Sequence, residues 1–567
     1  MNNQIAENAD AVSQTGSAGD YDVVIIGAGI NGAGLFRELC LQGIRCLIVD
    51  KADFGSGTSA APSRLIHGGI KYLETGELGL VAQSTLERNL LLRNAPHCVE
   101  PLATFIPSFS YAKGALSALR TLAGSTTAPR SRGALLIKIG LWLYDVYGAR
   151  HRVMPKHRFL FRNAALKEMP EITPRIVAGG IYYDARITRP ERLVWELIRD
   201  GMEANAGSHA RNYAELESRD GGVLTFKDDL DNRFAARPKI VVNAGGPWID
   251  RINTSLGEPT KLIGGTKGSH ILLRHPELVE SLKGRMIYFE ADDGRICLVY
   301  EYLGLVLVGS TDIKSDDPDN VQCEEDEIDY FLASLKSLLP DMHFDRSQIV
   351  YTYSGIRPLP ASDASQPGLI SRDHSAPVLS PTAERPFSIV SLVGGKWTTF
   401  RGFAEEVADT LLKQLDAPRR QSTQMQPIGG GRAFPIDSAA RKNWIGERSK
   451  ASAMKPEFID NLLARYGTTS DLILSHIQEF ENEAPLEHVE GYTRGEIDWI
   501  ARSEMIAHLP DIVMRRTTTA IEGLLSRPGL EEIATIAANA LSWNEERRRQ
   551  EIEMTVALLE TRHGLIF

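Results

Sequence analysis

A chain of 567 residues is too long for one compact core, and length alone predicts roughly two to four domains. A net charge of −10 argues against a general nucleic-acid binder. Five cysteines, Cys40, Cys46, Cys98, Cys297 and Cys323, are odd in number, widely spaced and without a CxxC, which argues against a disulfide framework or a zinc site and fits a reducing compartment.

Residues 1–20 hold no Lys, Arg or apolar run, so they predict a disordered tail rather than a secretory signal. The stretch YDVVIIGAGINGAGLFRELCLQGIRCLIVD (21–50) reads as strand, glycine turn, helix and strand. Gly27, Gly29 and Gly32 form GxGxxG. Gly27 permits the tight turn, Gly29 lets the backbone approach a pyrophosphate, and Gly32 lets the helix pack on the strand. Asp50 closes the second strand and can accept from ribose hydroxyls, while the helix N-terminus offers N–H groups to phosphate. Together these predict nucleotide binding. Just beyond, SRLIHGGIKYLE (63–74) gathers Arg64, His67, Lys71 and Tyr72 around Gly68-Gly69.

Residues 101–163 carry ten Lys or Arg against one acid, Asp145. This basic stretch reads either as a solvated face or as a lipid-facing surface. In the second reading Arg120, Arg130, Arg132, Arg150, Arg152, Lys156 and Arg158 meet anionic headgroups, with segment 134–147 at the boundary. That segment also reads as a buried helix, because its apolar residues occupy nearly all faces. No run reaches the roughly 18–20 apolar residues of a membrane span, since even 133–148 contains Lys138 and Asp145. The expectation is a cytoplasmic protein, at most peripheral on a membrane.

Residues 191–206 predict an amphipathic helix, and KIVVNAGGPW (239–248) a strand entering a glycine turn. Residues 266–312 predict successive antiparallel strands. SIVSLVGGKWTTF (388–400) is a further strand with Gly394-Gly395 at its end and a helix after it. A polar segment, 417–436, leads to helical periodicity up to the C-terminus. Strand-then-glycine turns thus recur at 27, 245 and 394. One parallel sheet assembled from these distant segments would bring all three turns to one cofactor edge. That is the organisation of a flavoprotein with a substrate domain inserted into its nucleotide domain.

The pieces VVIIGAGINGAG, GTSAAPSRLIHGGIKYLE, ERNLLLRNAPH, NAGGPW, KGSHI, VGSTD, TYSGIRPL, SRDH and GGKWTTF occur in the order seen in the FAD-dependent glycerol-3-phosphate dehydrogenase family, which the chain resembles over most of its length. RYGTTSDLI (465–473) and MRRTTTAI (514–521) are similar to that family's C-terminal helical domain. The resemblance implies non-covalent FAD, oxidation of sn-glycerol 3-phosphate to dihydroxyacetone phosphate, and electrons passed to membrane quinone. It implies an α/β fold overall: a glutathione-reductase-like FAD-binding Rossmann domain, an inserted antiparallel-sheet substrate domain and a C-terminal helical domain. The boundaries expected are 1–19 for the tail, 20–105, 185–248 and 350–415 for the FAD domain, 106–184 and 249–349 for the substrate and membrane-facing domain, and 416–567 for the helical domain.

Carried over residue by residue, the resemblance implies FAD contacts at Gly27, Gly29, Asn31, Gly32, Asp50, Thr58, Ser59, Ser63, Gly394, Gly395, Lys396 and Thr398. It implies substrate contacts at His67, Lys71, Tyr72, Arg357 and Arg372, and a catalytic set of His270, Arg357 and Lys396. The phosphate dianion calls for cationic donors, Arg above all, and the hydroxyl proton for an acceptor, here His270. A water or Arg-assisted route is the alternative to His270, and His67 reads equally as a structural histidine. Asp184 and Arg186 read as a structural pair joining the two domains. The family usually has Lys where Arg64 stands and Arg where Lys71 stands. This exchange leaves a longer polyol phosphate, such as an erythritol phosphate, as an alternative substrate. Oxygen is the alternative to quinone as acceptor, and a homodimer is one option for the oligomeric state.

Overall fold

The structure, a computed structural model, describes residues 18–70, 77–111, 133–149, 151–315, 317–361 and 373–567. Lys71, Tyr72, Arg372, Arg120, Arg130, Arg132 and Arg150 lie outside the described residues.

Two sheets organise the chain. In the first, Cys46–Val49, Gly19–Ile26, Arg233–Asn243 and Ser388–Ser391 run parallel in that spatial order. Where they lie side by side, residues 23–26, 46–49, 240–243 and 388–391 are short, fully buried runs, as strands covered on both faces require. The helices Ile30–Leu41, Pro190–Ala204 and Phe400–Gln414 cover one face, packing Phe36, Leu39, Leu193, Trp195 and Leu411 against Val23 and Ile25. The hairpin Ala214–Asp220 and Val223–Asp228 pairs with the edge of Arg233–Asn243, and Phe226 joins Val24 and Ile26 on the other face. Ile26 lies beside Asn243, and Asn243 beside Ser391. The three strands therefore end level, and the turns at Gly27, Gly245 and Gly394 meet at one edge.

The second sheet has ten strands, antiparallel except where Arg285–Glu290 runs parallel to Val99–Ser108. At one end of it Ile263–Leu273 pairs with Ile349–Pro360 and Leu305–Gly309. Ile349–Pro360, from a stretch expected in the FAD domain, thus belongs to this sheet. Its alternating Tyr351 and Tyr353 fill the core beneath the C-terminal helices, beside Tyr300 and Tyr302. Six helices between Ser438–Ser452 and Glu545–His563 form that C-terminal unit among the described residues.

The segment read as either a buried or a lipid-facing helix is a helix, Ala134–Tyr147, with two apolar stripes. Ile137, Leu141 and Tyr144 are buried against the antiparallel sheet, whereas Leu135, Ile139, Trp142 and Val146 are exposed, Trp142 by 60%. The buried-helix reading therefore describes only one of its faces. No helix among the described residues is long and apolar enough to cross a membrane.

Candidate active site

The cofactor cradle begins where Gly19–Ile26 ends. Gly27 has φ +106°, and a Cβ there would lie 2.5 Å from Ala244 O. A Cβ on Gly32 would lie 2.0 Å from Gly27 O, so only glycine lets the helix sit this close to the turn. At Gly29 the nearest atom to a Cβ is Ser59 Oγ at 3.1 Å, and the remaining space is open. Ser59 Oγ in turn accepts from Ile30 N–H at 2.9 Å.

Asp50 is held at the same turn. Its Oδ2 accepts from Ala28 N–H at 2.7 Å and its Oδ1 from Ala52 N–H at 3.0 Å. Burial pushes its carboxyl up to about 6, against the opposing pull of these two N–H groups.

The third glycine turn folds onto the first. Gly394 and Gly395 have φ +74° and +90°, which side-chain-bearing residues rarely adopt. Asn31 Nδ2 donates to Gly394 O at 3.2 Å, while its Oδ1 is buried with no hydrogen-bond partner. Trp397 Nε1 donates to Ser59 O at 3.2 Å, and Thr398 Oγ1 accepts from His67 N–H at 3.1 Å. Lys396 stands in the same short loop. Three segments, around residues 30, 60 and 396, are thus stitched together by polar contacts that leave an unpartnered acceptor and an open glycine. These features fit a bound dinucleotide, with Asp50 at the ribose, the turn amides at the phosphates and the 394–398 loop at the ring.

The expected substrate side rises from the second sheet. His270 is buried, with Nε2 2.8 Å from Ser63 Oγ and its ring stacked on Tyr353 at 4.8 Å. The ring lies against Gly309, where a Cβ would come within 2.1 Å. Burial, and then the charges of Arg357 and Arg64, push the imidazole well below its ordinary value. It is therefore neutral at pH 7, and its Nδ1 is buried with no hydrogen-bond partner. Arg357 passes over Gly268 and is held by Thr311 O, Asp312 Oδ1 at 3.1 Å and Ser310 Oγ at 3.0 Å. Thr58 Oγ1 donates to Ile356 O at 2.6 Å and so joins the cradle to the strand that carries Arg357.

Arg64, one of the residues gathered around Gly68-Gly69, is held inside the fold. It is buried on Glu191 at 3.1 Å and stacks over Tyr302 at 5.0 Å, so its charge is already spent inside the fold. The expectation that Asp184 and Arg186 pair with each other needs correction, although each does bind a residue from a stretch expected in the other domain. Asp184 binds Arg88 at 2.9 Å, whereas Arg186 binds Glu301 at 2.7 Å and Glu100 at 3.0 Å. Two apart on one strand, they share a face, but Asp184 meets the helix Leu78–Asn94 and Arg186 meets the strands Val99–Ser108 and Ile296–Tyr302.

Sequence reasoning also missed a buried charge cluster behind the cradle. Asp53, three residues after Asp50, accepts from Arg515 Nε at 2.6 Å, from Arg516 Nη1 at 2.7 Å and from Asn212 Nδ2 at 3.0 Å. Despite the cost of burial, the two arginines hold its carboxyl at about 2. The loop around Asp53 is also tied to the glycine turn, since Gly55 N–H donates to Ala28 O. The C-terminal helical unit therefore grips the loop that carries Asp50. The quoted MRRTTTAI was the one available signal, and nothing in its spacing named Asp53.

Comparison with known proteins agrees with this architecture. The family model described as FAD dependent oxidoreductase matches residues 22–410, and the C-terminal domain of alpha-glycerophosphate oxidase matches residues 421–548. The chain is 31% identical to a glycerol-3-phosphate dehydrogenase from Synechocystis sp., covering 94% of this chain and 95% of that protein. It is 28% identical to D-erythritol 1-phosphate dehydrogenase from Brucella abortus, covering 88% and 94%. The structure of glycerol-3-phosphate dehydrogenase from Bacillus halodurans, complexed with FAD, superposes with a TM-score of 0.74 at 22% identity, covering 98% of this chain and 96% of that one.

Proposed function

We infer the reaction from a premise the comparisons establish: this chain belongs to the FAD-dependent glycerol-3-phosphate dehydrogenase family, a group of FAD-dependent oxidoreductases, and FAD is its cofactor. The reading is oxidation of sn-glycerol 3-phosphate to dihydroxyacetone phosphate, with the electrons passed on to a membrane quinone. The observation that carries it is the neutral, buried His270 beside the cationic Arg357, both rising toward the cradle through Ser63 and Thr58.

Bound FAD supplies the acceptor for the hydride that leaves the carbinol carbon. The chain's own residues do the rest. Arg357 meets the phosphate with a planar fork, and Lys71, Tyr72, Arg372 and His67 complete the substrate set. Lys396, next to Gly394-Gly395, places a positive charge beside the flavin ring. His270 takes the hydroxyl proton. Its basicity is held down in part by the charge of Arg357. A phosphate dianion on Arg357 cancels that charge and raises the imidazole toward the range a general base needs. Substrate binding would thereby switch the base on.

Quinone as acceptor and a peripheral place on a membrane are supported by the exposed stripe of Leu135, Ile139, Trp142 and Val146. Beneath it lies a cavity of about 780 Å³ lined by Ile70, Phe109, Leu136, Ile139, Leu143 and Tyr288. Ile70 adjoins Gly69 of the substrate loop, so this apolar space reaches toward the expected site. A second reading, a longer polyol phosphate as substrate, is favoured by the likeness to D-erythritol 1-phosphate dehydrogenase.

Anaerobic mixing of the yellow holoenzyme with sn-glycerol 3-phosphate, D-erythritol 1-phosphate and a D-amino acid tests the reading. Bleaching of the flavin band by glycerol 3-phosphate alone is expected. Faster bleaching by the four-carbon phosphate would move the function to that substrate, and bleaching by the amino acid alone would end the proposal. Reoxidation by a short-chain quinone in preference to oxygen then tests the acceptor.

A further inference from the structure

The loop that carries the expected substrate donors is fastened from two sides. On the cofactor side, His67 N–H donates to Thr398 Oγ1. On the other side, Gly68 N–H is shared between Tyr144 Oη at 2.8 Å and Asp184 Oδ1 at 3.0 Å. Tyr144 Oη also accepts from Arg88 Nη1 at 2.8 Å and donates to Asp184 Oδ1. Its one proton and two lone pairs are thus all in use. Arg88 closes the group by donating to Asp184 at 2.9 Å and to Tyr183 O at 3.1 Å.

Every member of this network is buried: Tyr144 is 4% exposed, Asp184 1% and Arg88 4%. A Cβ on Gly68 would lie 2.3 Å from Tyr144 Oη, so the loop backbone is pressed against the hydroxyl. None of the three side chains belongs to the expected cofactor or substrate set. They converge from the helix Leu78–Asn94, the helix Ala134–Tyr147 and the strand Ala178–Ile187 onto one backbone amide. A buried polar network costs stability unless fully satisfied, and this one is satisfied only with the loop in place.

We propose that Tyr144 is a positioning residue for the reaction, fixing the substrate loop through the backbone N–H of Gly68. The role rests on the reading that residues 63–72 carry the substrate donors. Because Tyr144 lies on the inner face of the helix whose outer face is the exposed apolar stripe, that helix holds the loop directly. Tyr144 has no part in moving a proton or an electron.

The test is Tyr144→Phe, which keeps the ring and removes only the hydroxyl, alongside Leu141→Ala on the same buried face. For Tyr144→Phe we expect amide hydrogen exchange over residues 63–70 to quicken about fivefold, and KM for sn-glycerol 3-phosphate to rise about five- to tenfold, as predicted for loss of the bond from Gly68 N–H, the one of the hydroxyl's three hydrogen bonds that reaches the loop. The maximal rate of flavin bleaching at saturating substrate and the flavin content should hold. Leu141→Ala removes packing without touching the network. It should lower Tm while leaving KM within about twofold of wild type. Unchanged exchange and KM in Tyr144→Phe would overturn the proposal. So would an equal KM rise in Leu141→Ala, which would assign the effect to helix packing. If wild type is not bleached by glycerol 3-phosphate, the reading of the substrate fails, while the exchange measurement still decides whether the hydroxyl fixes the loop.

Discussion

Replacing Asp50 with Asn should alter how flavin affinity depends on pH. Burial raises the Asp50 carboxyl to about 6, from an ordinary value near 4. That difference of about two pH units corresponds to ~3 kcal/mol at 1.36 kcal/mol per unit. The folded value is the higher one, so the favourable contribution is complete below about pH 4 and is lost as pH rises to about 6. At pH 7 the fold therefore carries an ionised carboxylate held by two backbone N–H groups and short of further donors. Ribose hydroxyls supply such donors, and hydrogen bonds to the anion stabilise the charged form. Flavin binding is then linked to deprotonation of Asp50. Wild-type affinity should climb by up to about tenfold per pH unit between about 4 and 6 and level off above. Asp50→Asn has no proton to lose, so the slope should vanish. Loss of hydrogen bonds to a charged group, worth ~1.5–3 kcal/mol, should weaken binding at pH 7.5 by about 10- to 150-fold. Equilibrium dialysis of the holoenzyme, with fluorescence of the free FAD read from pH 4.5 to about 8, measures both quantities. An Asp50→Asn protein with the wild-type slope would show that another group carries the linkage. Unchanged affinity at pH 7.5 would remove Asp50 from the cofactor site.

Two further substitutions probe the scaffold around the cradle. Gly32→Ala puts a methyl 2.0 Å from Gly27 O, backbone that cannot step aside, so the protein should purify without flavin, as its visible absorbance would show. Asp53→Asn leaves Arg515 and Arg516 buried without their shared partner. It should cost ~3–5 kcal/mol in urea unfolding, whereas substituting the exposed pair Arg233–Glu217 should leave the unfolding midpoint almost unmoved. Because the Asp53 value is depressed to about 2, its contribution is present above about pH 4 and is lost as pH falls through 2, so Asp53→Asn should flatten the acid limb of the stability profile.

The cradle was legible because its signals are local. A strand, a glycine that tolerates φ +106° and a helix that must pack within van der Waals contact of the turn follow one another directly between Gly19 and Leu41. The same local signature at 245 and 394 was enough to place three turns on one edge, as the level register of Ile26, Asn243 and Ser391 shows. The antiparallel strands between 263 and 309 were equally readable as a succession of short apolar runs. The helix Ala134–Tyr147 was readable as a helix but not as a two-sided one. Apolar residues on all faces do not say which stripe finds a partner.

Sequence by itself therefore determined the dinucleotide turn, the acid at its second strand, the presence of an antiparallel sheet and a helical C-terminal region. Each of these follows from backbone sterics and side-chain periodicity over a few residues. Only the tertiary structure decided what the buried charges do. Arg64 was one basic residue among several until Glu191 and Tyr302 closed on it. Asp53 became the anchor of the C-terminal unit through Arg516, 463 residues away, and Gly68 acquired its support from Tyr144, 76 residues away. A buried charge or amide takes whichever partner the packed surfaces deliver, because leaving it unpaired costs several kcal/mol, about as much as a domain's margin of stability. That choice is made by which faces meet, and no spacing along the chain encodes it.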